Sequence, residues 1–470
     1  LAVVGGAILA RLLLPGDFGV FAMALTLVGF VMWFRDFGLP MAATQRETLD
    51  HGAASALFKA SIWLSLATTV FVIAMGPAVA AFYGEARLVG VIAVLSIATF
   101  VSGFSIIPEG LMIRRMRFAP LAAIEIGAGV ASFATGLTVA FLGGGYWALV
   151  AQHLALVIVR SLAVCAVCGW RPGSVVDAPS AESARSMLRY GRQLTFARVL
   201  QYFGQNTDRI LVGFVYGRNV LGLYDNSFRW SRYPVRQVFG PLRNVIVSAL
   251  SRLQGDAERY RTAFVRAGLP VYSASIPALA YMVVDAPHLI MAVLGDQWLE
   301  AIPLFRFLAA SGIATTVRAS TAWSYLSEGR TSRQLRWEMI SAPLLIGAIV
   351  VGLQWGVLGV AVAFALGSWA LVVPGAWFCS VGSRLRLGDF FAAWWRPFAA
   401  SVAAGIFLFV LSPETARTLP PGIGELGAFR AVVFRGVTYV AAYALIWVAL
   451  PGGLAKVGEL RAIARQLRRA

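Results

Sequence analysis

The chain has 470 residues, of which 59% are hydrophobic and 13% charged, and its formal net charge is +18. Long apolar runs recur along the whole chain with only short polar intervals between them, which excludes a soluble globular protein. The basic residues alternate with the apolar runs instead of forming one basic face, which argues against nucleic acid as a partner. Composition therefore predicts an all-α polytopic membrane protein.

Hydropathy predicts about fourteen transmembrane helices. The predicted spans lie near residues 1–14, 18–35, 54–82, 88–107, 120–142, 146–168, 194–216, 220–250, 264–294, 300–326, 338–355, 357–380, 391–412 and 431–450. The first run has neither a charged segment before it nor a small-residue cleavage site. We therefore interpret it as part of a membrane helix and not as a signal peptide.

The loops between the predicted spans separate by charge into two alternating sets. The basic set comprises the C-terminal tail and the loops at 46–59, 114–117, 171–192, 252–266, 330–336 and 384–386. The other set comprises the loops at 84–87, 143–145, 217–219, 295–297, 354–356 and 413–430. About two dozen basic residues in the first set face roughly half a dozen in the second, so the positive-inside rule predicts that the first set and both termini are cytoplasmic.

Three short motifs occur twice, in the same order, at separations of about 200–212 residues. They pair Phe18-Gly19-Val20-Phe21 with Leu221-Gly222-Leu223-Tyr224, Phe82-Tyr83-Gly84-Glu85 with Val293-Leu294-Gly295-Asp296, and the segment Gly144–Ala148 with Val357–Ala361. Such a separation accommodates six spans, and an even number of spans keeps both copies in the same orientation. The repeat therefore predicts two parallel six-helix lobes with an added helix pair, and substrate at the interface between the lobes.

The repeat and the loop charges together predict the domain organisation. The predicted domains are an N-terminal six-helix lobe (1–168), a cytoplasmic linker (169–193), a C-terminal six-helix lobe (194–380), an extra helix pair (381–453) and a basic amphipathic tail (454–470). We expect the tail to lie on the anionic inner leaflet of the bilayer, with docking to another protein as the alternative.

Charged residues form two stripes on the predicted helices 194–216 and 220–250, which are joined by the turn Tyr216-Gly217-Arg218-Asn219. At 100° per residue, the first stripe contains Arg198, Tyr202, Gln205 and Arg209. The second contains Asp225, Arg229, Arg232, Arg236 and Arg243 within an arc of roughly 60°. A charge at the bilayer centre costs at least ~2.5–3.5 kcal/mol on insertion scales, so a whole stripe normally faces a water-filled interior. Snorkelling to the membrane surface is the alternative for single arginines, above all for Arg243 near a helix end. We therefore predict a substrate-binding cavity lined by Arg198, Gln205, Arg209, Arg229, Arg232 and Arg236.

Short motifs distributed over nearly the whole chain carry a family resemblance. They are Arg11–Gly19, Phe34–Leu39, Arg114–Phe118, Gly144–Leu149, Trp170–Pro172, Asn206–Gly213, Leu221–Tyr224, Leu250–Leu253, Leu294–Trp298 and Gly356–Ala361. In this order they resemble the Wzx-type lipid-linked oligosaccharide flippases, the polysaccharide transport family of the MOP superfamily. The resemblance implies two lobes around a cationic cavity, alternating access, and a cargo carried on undecaprenyl diphosphate. It implies a place in the bacterial inner membrane and a role in making exopolysaccharide, O-antigen or capsule.

A transporter for such a cargo also needs an energy source, and buried carboxylates are the usual sites of coupling. Asp36, Asp208 and Asp225 are the residues that we predict to bind the coupling ion, which is either H⁺ or Na⁺. Glu125 and Glu338 are further acidic candidates, although both could lie hydrated at cytoplasmic helix ends. We expect no other cofactor and no metal site, since the chain has no cluster of metal-ligand residues at a recognisable spacing.

Two other classes of protein remain as alternatives. A membrane-embedded oligosaccharide polymerase or ligase would share the span number and the basic character, but generally needs a large external loop. The largest external loop predicted here, 413–430, is too short to form a catalytic domain. A small-molecule antiporter of the same superfamily is the second alternative, and the arginine stripes favour an anionic cargo over the cations that such antiporters usually carry. We therefore predict a transporter and not an enzyme, with a polysaccharide polymerase and a chain-length regulator as its candidate protein partners.

Overall fold

The computed structural model describes residues 2–35, 51–173, 181–411 and 424–451, and in these ranges the regular elements are helices. The α-helices are α1 (Ala2–Leu12), α2 (Pro15–Arg35), α3 (His51–Tyr83), α4 (Arg87–Gly103), α5 (Ile106–Arg114), α6 (Phe118–Phe141), α7 (Tyr146–Cys168), α8 (Ala181–Arg252), α9 (Ala257–Val284), α10 (Ala286–Val293), α11 (Ile302–Ser327), α12 (Thr331–Gly352), α13 (Gly356–Ala370), α14 (Val372–Ser380), α15 (Leu387–Leu411) and α16 (Glu425–Ala449). In the same ranges, short 3-10 helices at Asp296–Ala301 and Leu353–Trp355 precede α11 and α13. The all-α fold class is therefore confirmed. Asp36 and the tail 454–470 lie outside the described residues.

Seven helical segments of the described chain are long and apolar enough to cross a membrane, or up to nine if each of two bent pairs forms one span. The bent pairs are α1 with α2, at 119°, and α4 with α5, at 42°. A single 50-residue segment, Thr331–Ser380, counts once among the seven although it contains a turn at Gly356 with φ of 75°. The helix that carries both arginine stripes, α8, is not among the seven. The chain is thus a multi-pass membrane protein, and the number of fourteen spans remains a prediction.

Two compact units make up the chain, Leu1–Asp225 and Asn226–Ala470. The boundary between them falls inside α8, six residues after the turn that the sequence predicts at Tyr216–Asn219. The predicted domain bounds, which place the cytoplasmic linker at 169–193, remain a prediction.

In the first unit, close packing between neighbouring helices depends on small residues. The helix α6 packs along α7, and α4 contacts α2, α3 and α7. A β-carbon built on Gly136 of α6 would lie 2.9 Å from the β-carbon of Gln152 on α7, so only glycine permits this approach. The Ser132 hydroxyl donates to the backbone carbonyl of Gln152 at 2.9 Å, and the Ser61 hydroxyl of α3 to that of Gly103 at 3.1 Å. Small residues and interhelical hydrogen bonds of this kind hold helices together where lipid removes the hydrophobic drive.

The second unit packs in a similar way around α9. This helix contacts α11 and α15, and α15 presents the buried Ala393, Ala400 and Ala404. The last helix of the described residues, α16, contacts α15 and α10. A β-carbon on Gly352 of α12 would lie 2.6 Å from the carbonyl oxygen of Gly359 on α13, so these two helices also meet at their backbones.

The order of helix contacts in the first unit recurs in the second. In the first unit α3 contacts α4, α4 contacts α7, and α6 contacts α7. In the second unit α9 contacts α11, α11 contacts α13, and α12 contacts α13. Glycines with positive φ introduce the last helix of each series, Gly145 before α7 and Gly356 at the start of α13. The repeated motifs of the sequence therefore have counterparts in the internal packing of the two units.

Candidate functional site

The helix α8 is interrupted at Gly217, whose φ of 76° and ψ of −174° lie in a region that essentially only glycine adopts. An unbroken helix would place residues 209 and 225 about 24 Å apart. Instead the guanidinium of Arg209 lies 3.0 Å from the carboxylate of Asp225, so the chain folds back at the glycine. The predicted turn is confirmed, and it brings the end of the first arginine stripe beside the beginning of the second.

Two pairs of polar side chains connect the halves of α8 within the first unit. Arg209 Nε lies 3.0 Å from Asp225 Oδ1, and Arg209 Nη1 donates to Asn206 Oδ1 at 3.1 Å. The hydroxyl of Tyr224 donates to Asp208 Oδ2 at 3.0 Å. Both carboxylates are buried, with 2% of Asp208 and 6% of Asp225 exposed. Of the predicted cavity residues, Arg209 is therefore engaged by a carboxylate, that of Asp225, and the other candidate coupling residue, Asp208, precedes Arg209 in the chain.

In the second unit, the predicted cavity residue Arg232 stacks on aromatic rings. Its guanidinium carbon lies 4.5 Å from the ring centroid of Phe228 on the same helix and 5.8 Å from that of Phe364 on α13. The two phenyl rings are themselves in edge contact, with centroids 5.7 Å apart. Stacking on buried aromatic faces holds the planar guanidinium in a fixed orientation while its edges remain able to donate hydrogen bonds.

Of the remaining predicted cavity residues, the structure describes the side chains of two and not those of the other two. Arg229 and Arg236 are exposed, although the neighbouring residues 221–228 of the same helix are buried. They are two turns apart and therefore share one face of the helix. The side chains of Arg198 and Gln205 lie outside the described residues. Whether all six residues line one cavity remains a prediction.

An ion cluster in the first unit was not predicted. Arg160, in the middle of the apolar helix α7, donates from Nε to Glu125 at 2.6 Å and from Nη2 to Glu109 at 2.7 Å. The sequence analysis allowed for a Glu125 that is only hydrated at a helix end. In the structure, Glu125 is instead paired with Arg160. The signal was available, because an arginine inside an apolar run invites the same argument that singled out the stripes on α8.

A second unpredicted cluster joins α16 to the junction of α9 and α10. Asp285 is fully buried, and its Oδ1 accepts from Arg435 Nε at 2.6 Å and lies 3.0 Å from His288 Nδ1. Its other oxygen accepts from the hydroxyl of Tyr281 at 2.7 Å. A buried charge needs such compensation, so this cluster fixes α16 to the second unit.

Comparison with known proteins agrees with this architecture. Residues 8–303 match the family model described as "Polysaccharide biosynthesis protein". The teichuronic acid biosynthesis protein TuaB of Bacillus subtilis (strain 168) is 25% identical over 81% of this chain and 79% of its own length. The lipopolysaccharide biosynthesis protein WzxC of Escherichia coli (strain K12) is 24% identical over 78% of this chain and 74% of its own. The succinoglycan biosynthesis transport protein ExoT of Rhizobium meliloti (strain 1021) is 23% identical over 73% and 69%, respectively.

Solved structures resemble the chain in fold. The lipid II flippase MurJ, in an inward closed conformation, superposes with a TM-score of 0.70 at 13% identity and covers 95% of this chain and 97% of its own. An inward-facing multidrug transporter of the MATE family, in the MOP superfamily, superposes with a TM-score of 0.66 at 16% identity, covering 83% of this chain and 94% of its own. At these identities the likeness concerns the fold alone.

Proposed function

Because the chain belongs to the polysaccharide biosynthesis protein family, we propose that it is a flippase for lipid-linked oligosaccharides. In this proposal it moves undecaprenyl-diphosphate-linked repeat units across the bacterial inner membrane for the assembly of a surface polysaccharide. The names of three relatives support this assignment, since they refer to the biosynthesis or transport of teichuronic acid, lipopolysaccharide and succinoglycan. The same fold occurs in a lipid II flippase and in a drug exporter, so the fold does not identify the cargo. The chemistry of the site must therefore identify it.

The observation that carries the proposal is the set of arginines on the second half of α8. Arg229 and Arg236 are exposed and follow the buried segment 221–228 of the same helix, and the guanidinium of Arg232 lies against the rings of Phe228 and Phe364. A guanidinium can meet a diphosphate with two parallel hydrogen bonds, whereas it would repel a cationic drug. These three arginines, with Arg198, Gln205 and Arg209, form the proposed cargo-binding cavity, which opens alternately to the two sides of the membrane.

We further propose that the ion pair on the folded-back helix couples transport to H⁺ or Na⁺. Two buried carboxylates, Asp208 and Asp225, belong to the network of side chains around the turn of α8, where Asp225 pairs with Arg209 and Asp208 accepts from Tyr224. Buried carboxylates at membrane depth are typical sites for the uptake of a coupling cation. Asp36, outside the described residues, is the third candidate for the coupling site.

The proposed architecture has fourteen spans, arranged as six, six and two, with both termini in the cytoplasm. The recurring order of helix contacts in the two units supports the repeat, and the loop charges support the orientation. We propose that the chain transports its cargo without covalent chemistry and hands it to a polysaccharide polymerase and a chain-length regulator.

The proposal is tested by measuring on which leaflet the lipid-linked repeat units accumulate when the protein is absent. A strain without this protein should accumulate complete lipid-linked repeat units on the cytoplasmic leaflet, and the wild-type chain should clear them. The variant Arg229→Ala should insert normally but leave the units where they are. The matched control is Arg259→Ala, since Arg259 is an exposed arginine whose side chain is 78% accessible, and it should restore export. Complete units that reach the periplasm without being polymerised would instead favour a polymerase.

A further inference from the structure

At one end of the second unit, α9, α15 and α16 pack together around a tryptophan. Trp447, the third residue from the end of α16, is 6% exposed and forms a small core with Leu269 of α9 and Ala400 of α15. Its ring is stacked on that of Tyr443, whose hydroxyl donates to the backbone carbonyl of Ser273 on α9 at 3.4 Å. The loops before α9 and α15 and the segment after α16 belong to the basic set, so the loop charges predict that this end of the three helices faces the cytoplasm.

Two arginines flank this core, one on each of the neighbouring helices. Arg266 is the tenth residue of α9, and Arg396 is the tenth residue of α15. Arg266 lies one turn before Leu269 and Arg396 one turn before Ala400, so each arginine shares a helix face with a residue that packs on Trp447. Because Cα–Cβ bonds tilt toward the start of a helix, both side chains leave the core in the direction of the cytoplasmic ends.

Donors outnumber acceptors at this junction. The Nε–H of Arg396 and the indole N–H of Trp447 are buried, and neither has a hydrogen-bond partner among the residues that the structure describes. The guanidinium carbon of Arg396 lies 5.0 Å from the ring centroid of Trp395, a stacking contact that does not occupy its N–H groups. Arg266 is exposed. A buried donor that lacks an acceptor is costly, so this pattern indicates an acceptor that comes from outside the protein.

Carboxylates of the same helices do not supply this acceptor. Within α9 and α15 the carboxylates are those of Glu258 and Asp389, and they lie 3.4 and 3.8 Å, respectively, from the guanidinium of Arg261. Asp389 also accepts from the backbone N–H of Arg386 at 2.7 Å. The carboxylate of α16, that of Glu425, belongs to the opposite end of that helix. The junction therefore carries a surplus of positive charge, which suits an anionic ligand.

We propose that Arg266, Arg396 and Trp447 form a headgroup site, which binds the phosphate of an anionic phospholipid from the cytoplasmic leaflet. Guanidinium groups meet phosphate oxygens with parallel hydrogen bonds, and an indole N–H donates to acceptors at the membrane surface. Basic pockets between helices on the cytoplasmic side bind lipid headgroups in other membrane proteins. The acyl chains lie along the exposed Val402 and Ile406, which share one face of α15. The headgroup site contains none of the predicted cargo-binding residues, so it does not depend on the proposed function.

The headgroup site is tested by the effect of lipid on thermal unfolding. Protein purified in a neutral detergent is titrated with phosphatidylglycerol, which is anionic, or with phosphatidylcholine, which is zwitterionic. Phosphatidylglycerol should raise the unfolding midpoint as its concentration increases, because a ligand that binds the folded state stabilises it. Phosphatidylcholine should raise the midpoint much less, since the arginines repel its choline cation, and inorganic phosphate should not raise it. Equal rises with the two lipids, or a rise with inorganic phosphate alone, would refute the proposal.

Variants of the three residues assign the rise to this junction. Arg396→Ala and Trp447→Phe should each lose most of the rise that phosphatidylglycerol produces, and Trp447→Phe keeps an aromatic ring while it removes the N–H donor. Arg396→Lys should retain part of the rise, because lysine keeps the charge and loses the parallel hydrogen bonds. The matched control is Arg259→Ala, since Arg259 is exposed and faces Asp256 at 3.3 Å, and it should keep the full rise. A full rise in Trp447→Phe would refute the site, even if Arg396→Ala could not be purified.

A variant of the proposed cargo cavity distinguishes the phospholipid from the cargo. Arg229→Ala should keep the full rise with phosphatidylglycerol, because Arg229 is not part of the headgroup site. Loss of the rise in Arg229→Ala, together with a full rise in Arg396→Ala, would place the lipid in the cargo cavity and overturn the proposal. Native mass spectrometry provides an independent count, in which the wild-type chain should retain one more phosphatidylglycerol molecule than Trp447→Phe. Equal retention by the two proteins would refute the site.

Discussion

At the scale of single residues, two arginines of the predicted cavity have different surroundings. Arg209 is paired with Asp225, and 19% and 9% of their side chains are accessible. Arg229, on the following part of the same helix, is exposed. The contact with a buried carboxylate makes Arg209 a contributor to the folded structure, whereas the exposure of Arg229 lets an anionic cargo reach its guanidinium. The arginines that a helical pattern groups together therefore need not share one role.

The first prediction separates these roles. Arg209→Ala removes the guanidinium that pairs with the buried carboxylate of Asp225. Removing one member of a buried ion pair typically lowers the free energy of unfolding by ~3–5 kcal/mol. The yield of folded protein should fall in Arg209→Ala and in Asp225→Asn, and recover in the double variant Arg209→Ala, Asp225→Asn. Arg229→Ala should keep a normal yield and lose transport. Size-exclusion chromatography of detergent-extracted protein, run beside the export assay, measures both quantities; a normal yield of Arg209→Ala would contradict the structural role.

At the scale of elements, two glycines with almost identical backbone geometry break long apolar helical segments. Gly217 has φ of 76° and ψ of −174°, and Gly356 has φ of 75° and ψ of −173°. For any other residue such a conformation costs on the order of 1–3 kcal/mol. In both places the break converts one continuous apolar stretch into two helices, so each glycine determines where the chain turns back.

The second prediction concerns the stability that depends on these breaks. Gly217→Ala and Gly356→Ala should each lower the midpoint of thermal unfolding in detergent, because alanine is strained at positive φ. Gly127→Ala provides the control of opposite sign, because Gly127 lies inside α6 and a β-carbon added to it would meet nothing within 4 Å. There alanine should stabilise the helix by ~0.5–1 kcal/mol, as it usually does in helix interiors. A midpoint that rises in all three variants would show that the turns do not need glycine.

At the scale of the whole molecule, the two units share an order of helix contacts, and α16, the last helix that the structure describes, belongs to the second unit. The pair of Arg435 with the fully buried Asp285 secures α16 to α9 and α10. The helix pair that the sequence assigns to residues 381–453 is thus packed within a unit, since α15 also lies along α9. Helix packing does not indicate which ends of the helices face the cytoplasm. The loop charges predict that orientation.

The third prediction tests that orientation and the span count together. Reporters fused after Arg117 and Arg333 should report the cytoplasm, and one fused after Gly144 should report the periplasm, because basic loops are retained inside. Each fusion needs confirmation by immunoblot that the full-length product is present. Two consecutive predicted loops on the same side of the membrane would overturn both the number of spans and the parallel repeat.

Helices and turns were predictable from the sequence because they are local. Apolar runs placed α7 at 146–168, which is where the structure has it, and Gly217 was recognisable as a break between two such runs. Partners across helices were not predictable in this way. Arg435 and Asp285 are 150 positions apart, and Arg160 and Glu109 are 51 apart, so no periodicity relates them. In the sequence, each member of these pairs is recognisable only as a charged residue among apolar ones. The sequence does not indicate which residue neutralises its charge.

Gly19 and Gly222 are equivalent residues of the motif that occurs twice, and their contact has a consequence for the ancestry of the chain. A β-carbon built on Gly19 would lie 2.6 Å from the carbonyl carbon of Arg218, and one built on Gly222 would lie 2.6 Å from that of Pro15. Each glycine thus meets the backbone that the other copy of the repeat supplies, so either copy alone contains only half of the contact. Two identical lobes related by a two-fold axis would make it twice, with the same residue on both sides, as in any isologous dimer. The contact is therefore what gene duplication and fusion of a homodimeric ancestor would leave behind. After fusion each copy could diverge elsewhere, while a methyl group at either glycine would still have been excluded by its partner.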